Sequence, residues 1–238
     1  MNIFLIDGNS YIYRAFYAIR ELTNSRGEPT NATFGFTNML LKILREKIPD
    51  GIIIAMDSPE PTKRHDAYEH YKAQRPETPD LLVRQIPAIR KIIDAFRIPV
   101  IEQPGYEADD LLAAAARELS NDPANEVFIV TADKDMLQIV HDRIKVFDPM
   151  KDIIIDRETV KEKFGLPPER IPELMALTGD AIDNIPGVKG IGDKTAMAIL
   201  RNVGNLAELL EHPERAGTER LANLIRENRD SILLSYDL

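Results

Sequence analysis

Three short apolar runs, each ending in aspartate, constrain the fold of this 238-residue chain more than any other feature. Residues 3–6 lead into Asp7, residues 52–56 into Asp57, and residues 127–132 into Asp133. Continuous hydrophobicity and β-branched content suit strands buried on both faces of a parallel sheet. Helical patterns lie between them. Met39, Leu40, Ile43 and Leu44 fall within 37–47, and Leu82, Ile86, Ile89, Ile92 and Ile93 within 81–96. An alanine- and leucine-rich stretch at 107–119 follows Pro104-Gly105. Strands alternating with helices predict an α/β fold with a mostly parallel central sheet flanked by helices, whose ligands gather beyond the carboxyl ends of the strands. All three aspartates belong on that edge.

Two more strand-like runs, 144–147 and 153–155, flank a turn at Pro149-Met150-Lys151, and beyond Gly165-Leu166-Pro167-Pro168 the pattern is helical only. This predicts an α/β core over 1–160 and a helical region over 161–238. Residues 58–80 carry prolines 59, 61, 76 and 79 around a polar stretch with no strong apolar face, and read as an exposed excursion from the second strand. A 44% hydrophobic and 29% charged composition excludes wholesale disorder and fibrous repeats. With no cysteine there is no disulfide, thiol nucleophile, iron–sulfur cluster or thiolate zinc site, and the four histidines lack zinc-ligand spacing. No apolar stretch approaches the ~20 residues that cross a bilayer, and no signal-peptide pattern opens the chain, so the expected compartment is the cytoplasm.

The net charge of −9 would ordinarily argue against a nucleic-acid partner. Its source is local. Glu107, Asp109 and Asp110 open one helix, Asp133 and Asp135 follow the third strand, and Asp180 and Asp183 follow Thr178-Gly179. With Asp7 and Asp57 these make nine carboxylates, and without them 30 acids would balance 30 bases. Singly, each has a structural explanation as a helix cap, a turn former or a solvated helix face. Together they bring acids from five segments to one edge, where divalent cations are the usual counter-charge: hard ions take oxygen ligands, and Mg²⁺ is held by carboxylates plus substrate phosphates. So many acids suggest two ions, an arrangement that serves phosphodiester cleavage.

Ile185-Pro186-Gly187-Val188-Lys189-Gly190-Ile191-Gly192-Asp193-Lys194-Thr195 precedes a helical run to Leu200. Its glycines follow a helix rather than a strand and lack Gly-Lys-Ser/Thr, so neither a dinucleotide fingerprint nor a P-loop fits. A glycine loop between helices exposes N–H groups at a helix N-terminus and binds phosphate irrespective of base. Lys189, Lys194 and Arg201 against Asp193 make the segment 185–201 net +2. A tight hairpin with glycine C-caps is the structural alternative.

Through Leu5-Ile6-Asp7-Gly8-Asn9, Tyr13-Arg14-Ala15-Phe16, Ser25-Arg26-Gly27-Glu28-Pro29, Tyr71-Lys72-Ala73-Gln74-Arg75, Gly105-Tyr106-Glu107-Ala108-Asp109-Asp110, Thr131-Ala132-Asp133-Lys134-Asp135 and Leu177-Thr178-Gly179-Asp180 onward, the chain resembles the 5′-nuclease domain of bacterial DNA polymerase I, in the flap-endonuclease family. The resemblance implies a PIN/flap-endonuclease-like fold with a helical arch at about 58–80 and a helix-three-turn-helix at about 174–204. It implies a two-metal 5′-3′ exonuclease and flap endonuclease that removes 5′ flaps and RNA primers from branched or nicked DNA, leaving 5′-phosphate and 3′-hydroxyl ends with Mg²⁺ or Mn²⁺. Carried over by position, Asp7, Asp57, Glu107, Asp109 and Asp110 form one metal group, and Asp133, Asp135, Asp180 and Asp183 the other. Lys72, Arg75 and Arg14 resemble the residues that hold the scissile phosphate. Lys63 and Arg64 belong to the arch, where Tyr68 and Tyr71 either stack on bases or pack on a neighbouring helix. The hairpin with Gly187, Lys189, Gly190, Gly192, Lys194 and Thr195 resembles the duplex-tracking element that holds a K⁺ ion. Lys63 stands where the family often has an aromatic. A polymerase domain is absent after Leu238, so the resemblance allows an excised domain or a stand-alone bacterial, nucleoid-associated monomer. The rival readings are a PIN-like ribonuclease and a non-catalytic DNA-junction binder.

Overall fold

The computed structural model describes all residues from Met1 to Leu238. The first half of the chain forms β1 (Asn2–Asp7), α1 (Gly8–Ala18), α2 (Asn31–Glu46), β2 (Gly51–Ala55), α3 (Lys63–Ala67), α4 (Asp80–Val83), α5 (Ile86–Ala95), β3 (Val100–Ile101) and α6 (Ala108–Ser120). It continues through β4 (Glu126–Val130), β5 (Ile144–Asp148), β6 (Ile153–Ile155), α7 (Arg157–Phe164), α8 (Ile171–Thr178), α9 (Asp193–Arg201), α10 (Leu206–Glu211), α11 (Glu219–Glu227) and α12 (Arg229–Asp237). Two compact units result: Met1–Thr62 with Pro76–Met136 and Asp142–Ile155, and Lys63–Arg75 with Leu137–His141 and Asp156–Leu238.

In the first unit the six strands run in the order β3-β2-β1-β4-β5-β6. All neighbours are parallel except β5 and β6. Both sheet faces are covered, which is why the strands carry unbroken apolar sequence. Phe4, Ile6, Ile54, Phe128, Val130 and Phe147 form one core with Tyr11, Ile12, Phe36, Leu40, Ile89 and Ile93 from the helices. Phe4 stacks on Phe128 at 4.9 Å across the β1–β4 pair. Ile3, Leu5, Val127 and Ile129 point the other way and are also buried, on the side where α6 packs against β1 and β4. Successive strands are added to one side of β1 and then, with β4, to the other. That reversal makes the carboxyl end of the β1–β4 pair the topological switch point, where open α/β sheets bind their ligands.

The helix expected over 81–96 is two helices, α4 and α5, broken at Arg84-Gln85. Pro87 near the start of α5 has no N–H to continue the earlier helix and is tolerated only in a first turn. Gln85 is buried at the break; its amide accepts from the Thr33 N–H at 3.1 Å and donates to Asn31 and to the Leu81 carbonyl, both at 2.9 Å. Asn31 in turn donates to the Phe16 and Ile19 carbonyls that end α1.

The second unit is helical. Asp156 caps α7 by accepting from the Thr159 N–H at 2.9 Å, and Gly165 ends it in the left-handed region at φ 64°. Arg170 donates to the Leu200 and Val203 carbonyls at 2.7 and 3.1 Å, holding the end of α9. Apart from 63–75 and 137–141, which group with the second unit, the chain passes from the first unit to the second between Ile155 and Asp156.

Most residues of the segment 63–75 are exposed, as its polar sequence leads one to expect. It folds as part of the second unit, with Tyr71 only 3% exposed. Only Lys63–Ala67 is helical. The rest of the segment is a turn anchored by Lys72 N–H to the Asp183 carbonyl at 2.9 Å and by Asn184 Nδ2 to the His70 carbonyl at 2.7 Å.

Candidate metal centre and nucleic-acid interface

Asp7 ends the central strand and caps α1, accepting from the Ser10 N–H at 2.9 Å. Its carboxylate is buried, and burial, aided by the charges of Asp57 and Asp133, pushes its pKa up to about 6. The hydroxyl of Thr131 lies 3.4 Å from Asp7 Oδ2 and accepts from the Asp133 N–H at 3.1 Å, so one small side chain ties the two strand ends together. Gly8 admits this tight start of α1, because a Cβ there would lie 2.8 Å from the Ala55 carbonyl oxygen of β2.

Asp57, after β2, accepts from the Ala108 N–H at 2.7 Å, while its own N–H donates to Asn9 Oδ1 at 3.2 Å. Glu107 and Asp110 form a reciprocal capping box at the start of α6, with Glu107 N–H donating to Asp110 Oδ2 at 3.0 Å. Asp109 sits in the same first turn. The positive end of α6 therefore carries part of the charge of this group. Asp135 N–H donates to Asp133 Oδ1 at 3.0 Å. The capping explanation thus holds for several acids, and it does not exhaust them: a buried Asp7 with two acids acting on it remains under-neutralised.

No three carboxylate or imidazole groups already stand at cation-ligand spacing. The donor chemistry nonetheless fits a hard divalent ion: oxygen ligands only, and a buried carboxylate, Asp7, whose pKa is raised by burial and raised further by its acidic neighbours Asp57 and Asp133.

In the second unit Gly179 and Gly187 press their backbones together. A Cβ on Gly187 would meet Thr178 C and O at 2.3 Å, and one on Gly179 would meet Gly187 N at 2.5 Å. Asp180 and Ile185 exchange backbone hydrogen bonds at 3.0 and 2.8 Å, and Asp180 Oδ1 accepts from the Ile182 N–H at 2.7 Å. The loop then opens into a recess of about 380 Å³, lined by Thr178, Gly187, Lys189, Gly190 and Gly192 among others. Gly192 caps α9 with no side-chain acceptor for its first N–H groups, and Lys189 and Lys194 are exposed beside it, with Thr195 half-buried in the first turn.

The basic residues are differently placed from what the sequence suggests. Arg75 is ion-paired to Asp183, and Lys72 Nζ lies 3.9 Å from Asp183 Oδ2, so two phosphate candidates face a metal candidate. Arg64 donates to the Leu238 carbonyl. Tyr71 is an interior ring packed edge-on to His65 at 5.3 Å, which removes it as a stacking platform. Tyr68 is half-buried against His70, and Lys63 is exposed on α3. Arg14, in the first unit, lies 4.0 Å from Asp148. Asp148 escaped the sequence reading although it too ends a strand-like run, 144–147, which Lys145 interrupts. Burial would raise its pKa, but the Lys151 ammonium and the N–H groups of Met150 and Lys151 outweigh burial and hold it below the usual carboxylate range.

An acid-edged parallel sheet is followed along the chain by a helical unit carrying a glycine hairpin. The family model described as 5′-3′ exonuclease, N-terminal resolvase-like domain, matches residues 2–165, and the 5′-3′ exonuclease C-terminal SAM fold matches 166–238. The chain belongs to the 5′-3′ exonuclease family. It is 40% identical over 236 residues to a 5′-3′ exonuclease of Aquifex aeolicus, covering 99% of this chain and 80% of that one. It is 43% identical over 240 residues to the thermostable DNA polymerase I of Thermus aquaticus, of which it spans 28% while 99% of this chain is matched. The fold is shared with the bacteriophage T5 D15 protein co-crystallised with metal ions, at TM-score 0.82 and 19% identity, covering 99% of this chain and 88% of that one. It is shared also with the catalytic core of Rad2 in complex with DNA substrate, at TM-score 0.64 and 20% identity, covering 99% and 76%.

Proposed function

We propose that the protein is a structure-selective 5′-nuclease that hydrolyses phosphodiester bonds of 5′ flaps, nicked duplexes and RNA primers, leaving 5′-phosphate and 3′-hydroxyl ends. The carrying observation is the buried Asp7 at the β1–β4 switch point with Asp57 and Asp133 acting on it. Asp7, Asp57, Glu107, Asp109 and Asp110 would hold one divalent ion, and Asp133, Asp135, Asp180 and Asp183 a second, with Mg²⁺ or Mn²⁺ suiting the donors. Such ions supply an acidified water and stabilise the attacking and leaving oxygens.

The chain's own side chains bind and orient the phosphate. Lys72, Arg75 and Arg14 are the side chains that would offset charge building on the phosphoryl oxygens. Because Lys72 and Arg75 pair with Asp183 when nothing is bound, substrate phosphate and cation together must displace that contact. Lys63 and Arg64 add charge along the 5′ strand, and Tyr68 offers a half-buried ring to its bases. The α9 N-terminus with Gly187, Lys189, Gly190, Gly192, Lys194 and Thr195 grips duplex phosphates irrespective of sequence, and the recess lined by Thr178 and residues 187–192 is where K⁺ would bind. The protein works in the bacterial nucleoid as a monomer, with a polymerase as its functional partner, in the same polypeptide or separate. No helix is long and apolar enough to cross a membrane.

The test is incubation of 5′-labelled flap DNA, plain duplex and single-stranded RNA with Mg²⁺ and with EDTA. The expected result is Mg²⁺-dependent cutting near the flap base. Preference for RNA would make the protein a PIN-like ribonuclease, and binding without cutting would make it a junction-binding module.

A further inference from the structure

We infer that Asp148 is the positioning residue for Arg14, fixing the guanidinium for the substrate phosphate without consuming its hydrogen-bond donors; this rests on the assignment of Arg14 to that phosphate. Asp148 closes β5 at the same carboxyl edge as Asp7. The register pairs Ile6 with Val130 and Val130 with Phe147, so Asp148 stands level with Asp7, two strands away. Its carboxylate is held on one side by the turn after β5, accepting from the Met150 and Lys151 N–H groups at 3.0 and 3.4 Å, with Lys151 Nζ at 3.1 Å. Its side chain is 6% exposed, so the charge is a fixed point rather than a mobile one.

Arg14 Nη1 lies 4.0 Å from Asp148 Oδ1, within an ion pair but beyond a hydrogen bond. No other acceptor in the structure holds the guanidinium, whose side chain is 25% exposed. A bidentate Arg–carboxylate pair would spend the planar fork on the protein. Separation by 4.0 Å leaves all the N–H donors for phosphate oxygens while the charge still sets the direction of the side chain. The surroundings favour that action at a distance. Tyr11, one helical turn before Arg14, is 2% exposed, so it closes that side of the pair to bulk solvent. In such poorly hydrated surroundings a charge pair is screened less than at an open surface.

A different role for Asp148, bracing the 149–151 turn alone, makes different predictions, because asparagine at 148 keeps an acceptor for both N–H groups. The experiment measures single-turnover cleavage of 5′-labelled flap DNA in Mg²⁺ and DNA affinity in EDTA for the full chain. The variants are Arg14→Ala, Asp148→Asn, Lys151→Ala and the Arg14→Ala/Asp148→Asn double. Arg14→Ala should slow cleavage by about 100-fold, as loss of one donor set at a reacting phosphate does. Asp148→Asn should slow it about tenfold with affinity nearly unchanged and a modest fall in melting temperature from the lost charge contacts. The double variant should be no slower than Arg14→Ala, and Lys151→Ala, which leaves both backbone donors to Asp148 in place, should lose clearly less than Asp148→Asn. Multiplying losses in the double variant, or a Lys151→Ala loss equal to that of Asp148→Asn, would overturn the inference while leaving Arg14 its role. Wild-type cleavage by Arg14→Ala would instead overturn the assignment on which the inference stands.

Discussion

Asp7 caps a helix, and for that a neutral side chain would serve as well; its negative charge is a burden that only a cation relieves. A carboxyl whose folded pKa, about 6, lies above its ordinary value of 3.8 holds its proton longer in the folded state. The stability this contributes is complete below about pH 4 and is lost as pH rises through about 6, leaving a neutral-pH penalty on the order of 2–3 kcal/mol. Asn at this position keeps the acceptor for the Ser10 N–H. Metal-free Asp7→Asn should therefore melt several degrees above wild type near pH 7.5, the gap closing toward pH 4, while losing cleavage. A lower melting temperature at neutral pH, followed by circular dichroism, would contradict this account of the residue.

Among the elements, local pattern was informative wherever burial was continuous. The runs ending in Asp7, Asp57 and Asp133 became β1, β2 and the end of β4 because strands covered on both faces leave little room for another reading. What escaped depended on partners distant in sequence. Residues 63–75 are mostly exposed, as their sequence suggests, but no local apolar stripe announces that Tyr71 is buried or that His70 and Lys72 bind the 183–184 backbone and side chains. Gln85 reads as a surface residue, yet Asn31 and Thr33 satisfy its amide in the interior. Asp148 was hidden because Lys145 interrupts the run before it and the Pro149 turn follows it, although it too ends a parallel strand. The glycine hairpin was legible as a phosphate loop, but not the backbone contact that makes two of its glycines obligatory. Gly187→Ala should lower the unfolding midpoint sharply, since its Cβ would meet the Thr178 backbone at 2.3 Å, whereas Gly192→Ala should barely move it, with nothing within 4 Å. Equal midpoints in urea titrations would show that the hairpin repacks freely.

For the molecule as a whole, the question is how a chain of net charge −9 handles a polyanion. The acid surplus equals the nine candidate ligands, so bound cations would shift the balance, and contact with DNA is left to local basic elements. Lys194→Ala should weaken binding to every duplex sequence alike and reduce the salt slope by about one, measured by fluorescence anisotropy over a KCl series. A loss confined to certain sequences would reassign that lysine. The most direct test of the central claim is anomalous diffraction from crystals soaked in Mn²⁺. The account predicts manganese peaks within coordination distance of Asp7 and its acidic neighbours. An empty edge at high Mn²⁺, with Asp57, Glu107 and Asp110 still hydrogen-bonded to the start of α6, would contradict it.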